Sequence, residues 1–173
     1  MPAHARRMTE LAAAALATAA LAGTTMLAAC GFRLAGSEKL PPVLARPYLS
    51  VKDPYTDFAR EFERQLKSQG ALLQAGGQDA TATIEVTKDF VEQRTLAVSA
   101  RNIPTDYELR YTVAFEVKGP DSQLLAPQEI TLSKDYSFEE NVLLAKEHEA
   151  DILRGQMARD LVTMAMHRLA RLK

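Results

Sequence analysis

The sequence contains no tryptophan, a single cysteine and no marked excess of either charge. One cysteine excludes a disulfide within the monomer, so the folded chain depends on packing for its stability. The 21 lysines and arginines are balanced by 22 aspartates and glutamates, which argues against a nucleic-acid-binding protein because such proteins carry a basic excess. The sequence also lacks a Gly-rich phosphate loop, a G-x-S-x-G elbow and an H-E-x-x-H zinc motif. It therefore offers no positive evidence for an enzyme.

A mainly apolar segment, residues 11–21, is too short to span a bilayer, which takes about 20 apolar residues. Two arginines precede it, and two alanines lie directly before Cys30. A basic start, an apolar stretch and small residues before a cysteine are typical of a lipoprotein signal, in which the thiol accepts the diacylglycerol. We predict that residues 1–29 are a signal peptide and that Cys30, carrying a diacylglycerol and an N-acyl chain, begins the mature protein. We expect no other cofactor.

Two other interpretations of Cys30 stay open. The cysteine could end a membrane helix from Leu11 to Ala29, although threonine and glycine residues make that segment only weakly apolar. It could also be a free thiol in a cytosolic protein. If it is lipidated, each buried methylene contributes about 0.8 kcal/mol, so two or three acyl chains hold the protein at a membrane almost permanently. Gly31 stands where an aspartate often retains a lipoprotein at the inner membrane, which by analogy favours the outer membrane.

The sequence predicts that the mature chain consists of a tether followed by one domain. Residues 30–45 include glycine, serine and two adjacent prolines and show no sustained periodicity, which is typical of an extended segment. Residues 46–173 have a length that suits a single domain. We therefore predict a signal peptide over 1–29, a lipidated tether over 30–45 and one α+β domain over 46–173.

The first half of this domain predicts a strand followed by a helix. Tyr48, Leu49 and Val51 indicate a short strand. Asp53-Pro54 predicts the start of the helix, because aspartate caps free amides and proline suits the first helical position. An aromatic and apolar stripe then recurs at helical spacing, and Gly70 should end the helix. We interpret the stripe as core rather than as a ligand surface; its members are Tyr55, Phe58, Phe62 and Leu66.

Three strands and a second helix follow. Ala82, Ile84 and Val86 alternate with polar residues, and a longer alternation runs from Tyr107 to Val117. Gly119-Pro120-Asp121-Ser122 predicts a turn, after which Ile130, Leu132 and Tyr136 form a strand with Lys134 in line. A helical pattern covers Leu144 to Leu172, with an apolar stripe of Leu153, Met157, Leu161, Met164, Ala165, Leu169 and Leu172.

This order predicts an α+β fold. We expect a four-stranded, mostly antiparallel sheet with two helices packed on one face, in the order strand-helix-strand-strand-strand-helix. The other face of the sheet would then be partly open. In this arrangement Lys146, near the start of the last helix, would lie beside Arg94 and Lys134.

Few side chains are candidates for chemistry. His148 and His167 have no neighbouring Cys or His at ligand spacing, and Ser99 has no evident base partner. Two basic positions are more informative: Arg101, in the connection from Ser99 to Thr105, and Lys146. They are either solvated surface charges or contacts to anionic phosphates, for which arginine gives a bidentate fork and lysine a point charge.

Three segments carry a resemblance to a known family. Cys30–Leu34 reads CGFRL, Leu144–Asp151 reads LAKEHEAD, and the strand from Tyr107 to Val117 lies between them. Together they resemble the LPS-assembly lipoprotein family, LptE, over nearly the whole mature chain. One departure is that Ala35 stands where the family opening carries a further arginine.

The resemblance implies a binding and chaperoning role without catalysis. Such a protein is a lipid-anchored component of the cell outer membrane, on the periplasmic side, and pairs as a heterodimer with a large LptD-type β-barrel. It plugs and supports assembly of that barrel and binds lipopolysaccharide during insertion into the outer leaflet. Carried over by position, Arg101 and Lys146 are candidates for contacts with lipopolysaccharide phosphates, and Lys134 is a third.

Two functions of other classes stay open. The first is a stand-alone periplasmic lipoprotein that binds a peptide or a small amphiphile on the open face of its sheet. The second is a lipid-anchored hydrolase using Ser99 or His148.

Overall fold

The computed structural model describes residues 40–137 and 143–172. After a short 3-10 turn, Pro42–Leu44, these residues form four strands and two helices in the predicted order. The elements are β1 (Pro47–Val51), α1 (Asp57–Ser68), β2 (Ala82–Val98), β3 (Pro104–Lys118), β4 (Gln123–Ser137) and α2 (Leu143–Leu169). The predictions for residues 1–29 and for most of the tether, including Cys30, concern residues outside the described ranges.

The four strands form one sheet in the order β1-β2-β3-β4. β1 pairs with β2 in parallel, because α1 lies in the connection between them and returns the chain to the same end of the sheet. The pairs β2–β3 and β3–β4 are antiparallel and joined by short turns. Both helices contribute to the core with the face of β3 that carries Tyr107 to Val117. The predicted α+β fold, with its mostly antiparallel sheet, is thus confirmed.

The start of α1 differs from the prediction. The capping residue is Thr56, whose Oγ1 accepts a hydrogen bond from the N–H of Ala59 at 3.1 Å. Asp53 Oδ1 instead accepts from the N–H of Tyr55 at 2.9 Å, which closes a turn before the helix. Asp53-Pro54 therefore directs a turn, and the helix begins three residues later. Its end is as predicted: Gly70 adopts a φ of 88°, a left-handed conformation that suits glycine.

The core is built from aromatic and aliphatic side chains between the helices and the sheet. Phe58 and Phe62 of α1 have ring centroids 5.1 Å apart, and Phe62 lies 6.2 Å from Phe115 of β3. All three are fully buried. Tyr55, in contrast, is 81% exposed, so its assignment to the core stripe was wrong. It precedes the helix and does not share the helical periodicity.

The apolar stripe of α2 is largely confirmed. Met157, Leu161, Ala165 and Leu169 are fully buried, and Leu153 and Leu172 are partly buried against the core. Met164 is 41% exposed and lies off this stripe. No helix in the described ranges is both long enough and apolar enough to cross a membrane.

β2 extends well beyond the three alternating residues that predicted it. A register shift between Val86 and Lys88 inserts Thr87 as an extra residue. Before this bulge, Val86 points toward the helices with its partner Phe115; after it, Asp89 shares that face with Val113. The bulge reverses which residues face the core, and this is why the apolar alternation in the sequence stops while the strand continues.

Candidate functional site

The turn between β2 and β3 presents Arg101 to solvent. The N–H of Ser99 donates to the carbonyl of Ile103 at 2.7 Å, and the N–H of Asn102 donates to the carbonyl of Ser99 at 2.9 Å. Ser99 Oγ also accepts from the N–H of Ile103 at 3.3 Å. Asn102 has a φ of 60°, a conformation that asparagine tolerates better than most residues. The turn is thus closed by its own backbone, and Arg101 is exposed on it.

Apolar residues precede and follow Arg101 in the sequence of the hairpin. Leu96, Val98 and Ile103 are 54%, 52% and 39% exposed, respectively. We call Leu96–Ile103 the hairpin tip. It combines a guanidinium, which binds phosphate in bidentate fashion, with apolar surface that is available for contact. Such a surface is complementary to an amphiphile whose anionic groups lie next to hydrocarbon.

Sequence reasoning missed the apolar part of the tip. It treated Arg101 as an isolated cation in a connection and did not extend β2 as far as Val98. The signal was present, since Leu96, Ala97 and Val98 directly precede the turn and Ile103 follows it. Side chains of this kind in a long, solvent-exposed hairpin are not explained by the core.

Lys134 lies elsewhere on the sheet. It pairs with Leu109 of β3, on the face covered by the helices, as its alignment with Ile130 and Leu132 predicted. Its Nζ is 3.7 Å from Asp160 Oδ2 of α2. The five steps along the strand from Pro104 to Leu109 place it about 17 Å from the start of β3. The fold therefore does not bring Lys134 next to Arg101.

The side chain of Lys146 lies outside the described part of the chain, but the course of α2 is defined. Arg168 Nη1 donates to Gln128 Oε1 of β4 at 2.9 Å, and Asp160 lies near Lys134 farther along that strand. α2 therefore runs opposite to β4, and its first turns lie toward the Ser137 end. Ser137 pairs with Asp106, close to the start of β3. The beginning of α2 and the hairpin tip thus belong to the same end of the sheet.

The expected grouping of Arg94 with Lys134 is wrong. Arg94 pairs with Glu108 in the β2–β3 register, on the face away from the helices, whereas Lys134 lies on the helix-covered face. Arg94 Nε donates to Glu92 at 2.6 Å instead. The bulge at Thr87 decides this arrangement, because it sets which residues of the distal part of β2 face the helices.

The open face of the sheet is a layer of ion pairs. Lys118 Nζ lies 2.7 Å from both Glu85 and Glu116, and Lys88 Nζ lies 3.5 Å from Glu129. Salt bridges on an exposed surface contribute little stability each, about 0–1 kcal/mol. Their main effect is to make this face charged and mixed in sign, which offers an amphiphile few apolar contacts.

A second group of cations lines a groove between the two helices. This groove has a volume of about 230 Å³, and its walls include three arginines and two carboxylates. Arg60 binds Asp57 at 2.8 Å and Arg64 binds Glu61 at 2.5 Å. These i,i+3 pairs are typical of a solvated helix surface. The lining residues are Asp57, Arg60, Glu61, Arg64, Gly155, Ala158 and Arg159.

One half-buried carboxylate links β2 to the start of α1. Asp89 Oδ2 accepts a hydrogen bond from Thr56 Oγ1 at 2.5 Å, and Tyr111 also bonds to Asp89. The hydroxyl of Tyr111 in turn accepts from the N–H of Phe58 at 3.2 Å. Burial raises the pKa of Asp89, and the nearby charges of Asp53 and Asp57 raise it further, against these hydrogen bonds. The cluster satisfies free amides of the first turn of α1 and has a structural role.

Asp89→Asn is expected to flatten the pH dependence of stability. Because the pKa of Asp89 is raised in the folded chain, this group stabilises the fold most below its unfolded pKa of about 3.9. That contribution is lost as the pH rises through the folded pKa. Urea unfolding of the wild type and the variant across acid and neutral pH measures the difference. Asp79→Asn, at the exposed end of the 3-10 turn Gly77–Asp79, is the matched control, and identical slopes for Asp89→Asn and wild type would contradict the prediction.

The described residues do not contain a group of three or more His, Cys, Asp or Glu side chains arranged to hold a metal ion. Ser99, the candidate nucleophile, accepts a backbone hydrogen bond within the turn. His148 has a side chain outside the described part. What the structure does bring together is a guanidinium and apolar side chains at one end of a long sheet.

Comparison with known proteins agrees with this architecture. The family model LptE, described as Lipopolysaccharide-assembly, matches residues 46–169. The LPS-assembly lipoprotein LptE of Yersinia enterocolitica is 26% identical over 131 residues, which cover 75% of this chain and 63% of that protein. The LptE protein of Yersinia pestis strain Pestoides F is 25% identical over 131 residues, with the same coverage. The chain therefore spans 63% of the length of these relatives.

Two solved structures have the same fold. Rare lipoprotein B from Shewanella oneidensis superposes with a TM-score of 0.63 at 23% identity, covering 72% of this chain and 93% of that one. A lipoprotein B from Nitrosomonas europaea, studied in solution, gives a TM-score of 0.66 at 25% identity, covering 81% and 90%. These proteins share the strand and helix arrangement described above.

Proposed function

This chain belongs to the LptE family of lipopolysaccharide-assembly proteins, and from that membership we propose that it is an outer-membrane lipoprotein of the periplasmic side. In this role it plugs an LptD-type β-barrel, supports the assembly of that barrel and binds lipopolysaccharide during insertion into the outer leaflet. The role is binding and chaperoning, without catalysis. Residues 1–29 are the signal peptide, residues 30–45 the tether lipidated at Cys30, and residues 46–173 the domain that enters the barrel.

The hairpin tip is the observation that carries this proposal. Lipopolysaccharide presents phosphates next to acyl chains, and the tip presents Arg101 among the exposed side chains of Leu96, Val98 and Ile103. An arginine near apolar surface binds phosphate more strongly than one in open water, because water competes less for the guanidinium. The tip therefore suits both parts of the ligand.

The length of the sheet supports the same role. β1 enters the sheet opposite Ala82, and the hairpin tip begins at the other end of β2. The 17 residues of β2 extend over about 53 Å at 3.3 Å per step. A chain anchored through its tether therefore carries the tip far from the point where the domain begins. The tip must lie far from the start of the domain if it is to contact lipid inside a barrel.

The surface chemistry also suits a plug. The interior of a large outer-membrane barrel is polar, and the open face of this sheet is a layer of ion pairs built from residues such as Lys118, Glu85 and Glu116. A surface that carries charges of both signs is well solvated in the periplasm and is compatible with a polar barrel wall. The stand-alone amphiphile binder would need an apolar face at the same place.

We expect the double variant Arg101→Asp plus Lys146→Asp to weaken lipopolysaccharide binding. Reversing two charges at the same end of the sheet removes attraction and adds repulsion toward phosphate, and a loss of about 10-fold corresponds to about 1.4 kcal/mol. The measurement is the amount of lipopolysaccharide that co-purifies with the purified domain, together with its affinity for lipid A. Circular dichroism checks that the fold is retained.

Lys52→Asp plus Arg171→Asp is the matched control. Both residues are exposed, and the change in net charge is the same, so a general electrostatic effect would weaken binding equally in both double variants. Equal binding by wild type and the tip variant would remove Arg101 and Lys146 from the ligand site. Failure of the wild-type chain to co-purify with a large barrel after mild detergent extraction would count against the plug itself.

A further inference from the structure

The outer edge of β2 is unpaired along most of the strand. β1 covers β2 from Ala82 to Val86, and beyond that point no strand in the described ranges pairs on this side. Register irregularities follow Val86 and Thr95, so the stretch between them is a regular strand. We call Lys88–Thr95 the β2 edge. It is about 24 Å long at 3.4 Å per step and turns alternate backbone N–H and C=O groups away from the sheet.

The opposite edge of the sheet is built differently. β4 carries Pro127, which has no N–H to donate. Both edges carry charged residues, so the proline, which prevents another strand from pairing along that part of β4, is what distinguishes them. The β2 edge contains no proline, and Phe90 on it is 55% exposed. The two edges of one sheet therefore differ in their capacity to accept a strand.

A cavity adjoins the β2 edge where β1 ends. It has a volume of about 260 Å³, and its lining combines aromatic and aliphatic side chains with the charged residues Asp57, Asp89 and Arg154. Tyr55 is 81% exposed, and Arg154 reaches Asp151 at 2.9 Å. In strand addition the backbone hydrogen bonds supply affinity and such pockets receive alternate side chains of the added strand. The cavity is placed where a side chain of a strand next to Val91 would point.

The charges along the edge define the chemistry of the occupant. On the open face the edge presents Lys88, Phe90, Glu92 and Arg94 in turn, so a complementary strand carries an acid, an apolar residue, a base and an acid at alternate positions. On the other face, its intervening residue next to Val91 enters the cavity, which offers aromatic surface beside Asp57, Asp89 and Arg154. This pattern describes one extended protein segment.

A folded second copy of the chain fits the edge less well. Thr56 Oγ1 is 2.5 Å from Asp89, so the turn between β1 and α1 stands directly beside the β2 edge. A second copy would have to bring its own turn into that space, whereas an extended segment has no such bulk. The occupant is therefore a segment of a protein partner.

We infer that the β2 edge is a strand-addition site for an extended segment of the barrel partner, with one side chain of that segment in the cavity beside Val91. The inference rests on the proposed function, since the partner is the barrel that this chain plugs. It adds a defined mode of contact, by backbone hydrogen bonding along Lys88–Thr95 rather than by side chains alone.

Hydrogen–deuterium exchange on the full chain, free and co-expressed with its barrel, tests this directly. We expect the outward amides of the β2 edge to exchange about 100-fold more slowly in the complex, since each gains a backbone hydrogen bond that must open first. The outer amides of β4 are the internal control and should not gain comparable protection. A complex in which the β2 edge exchanges as fast as in the free chain would overturn the inference and leave the plug intact.

Two proline variants give an independent test. Neighbouring residues of a strand direct their N–H groups to opposite sides of the strand. Of the variants Gln93→Pro and Arg94→Pro, one therefore removes an N–H that pairs with β3, and the other removes an N–H that points outward from the edge. Thermal unfolding identifies the first by its lower Tm. The second should keep its Tm and reduce recovery of the barrel complex by about 10-fold, an effect of about 1.4 kcal/mol.

The remaining outcomes also decide the inference. If the variant that keeps its Tm recovers the barrel as well as wild type, the edge does not carry the contact. If the free chain protects Lys88–Thr95 in a concentration-dependent way, a second copy occupies the edge and the assignment to the barrel is wrong. If no barrel complex forms with the wild-type chain, the proposed function and the inference both fail.

Discussion

Replacing Phe62 with alanine is expected to lower the free energy of unfolding by about 3–5 kcal/mol. The ring of Phe62 is fully buried and lies 5.1 Å from Phe58 and 6.2 Å from Phe115. It therefore joins α1 to β3, and its loss leaves a cavity between a helix and the sheet. With a total stability of about 5–15 kcal/mol for a domain of this kind, the variant is expected to be partly unfolded at physiological temperature.

Urea unfolding followed by circular dichroism measures this loss. Phe90→Ala is the matched control, because it removes the same ring from a position that is 55% exposed, and it should change stability by about 0.5 kcal/mol or less. Equal destabilisation by the two substitutions would mean that Phe62 does not join α1 to the sheet. The same pair of variants separates loss of fold from loss of partner, since Phe90 lies on the β2 edge and Phe62 does not.

Cys30→Ala is expected to abolish lipidation and release the protein from the membrane fraction. Without the thiol there is no acceptor for the diacylglycerol, and acyl chains that each contribute about 0.8 kcal/mol per buried methylene are lost together. Metabolic labelling with palmitate should mark the wild-type chain and leave the variant unlabelled. Fractionation should move the variant from the outer membrane to the soluble periplasm, and the yield of mature barrel should fall with it.

Ser37→Ala, in the same tether, is the control for this substitution and should be labelled like the wild type. A wild-type chain that incorporates no palmitate would contradict both the lipid anchor and the outer-membrane location. A Cys30→Ala chain that is unlabelled, has lost residues 1–29 and still sediments with the membrane would show that the barrel, rather than the lipid, retains it. That result would leave the plug in place and change only the means of its retention.

Much of this fold follows from local pattern. The alternation from Tyr107 to Val117 appears as β3 with one buried face, because a period of two on a strand is fixed by backbone geometry alone. The helical stripe through Phe58, Phe62 and Leu66 appears as the buried face of α1 for the same kind of reason. The turn at Gly119 is also as predicted, with its N–H donating to the carbonyl of Ser122 at 2.8 Å.

Other features depended on contacts between distant parts of the chain. Thr56 caps α1 in place of Asp53 because its hydroxyl also reaches Asp89 of β2, a residue 33 positions away. β2 continues to Val98 because β3 provides a pairing partner along its whole length, and the bulge at Thr87 hides this from any regular alternation. The strand propensities of the residues do not predict a strand whose pairing register changes in the middle.

Some residues of the candidate site could likewise be predicted from the sequence, and others only from the structure. Arg101 could be selected from sequence because it lies in a polar connection between two strand patterns, and the structure places it on an exposed turn. Its apolar neighbours Leu96 and Val98 could be recognised only once β2 was known to extend that far. Lys134 was correctly aligned with Leu132, yet its distance from Arg101 depends on the β3–β4 register.

The amino-acid order of this chain predicted a lipidation signal at Cys30 and an α+β domain, and the structure confirms the α+β domain, because the periods of helix and strand are local properties of neighbouring residues. The unpaired β2 edge, the separation of Arg94 from Lys134 and the apolar surroundings of Arg101 emerged only from the folded chain. Each depends on which strand lies beside which and on which face is covered, and those relations are set by packing between segments far apart in the sequence.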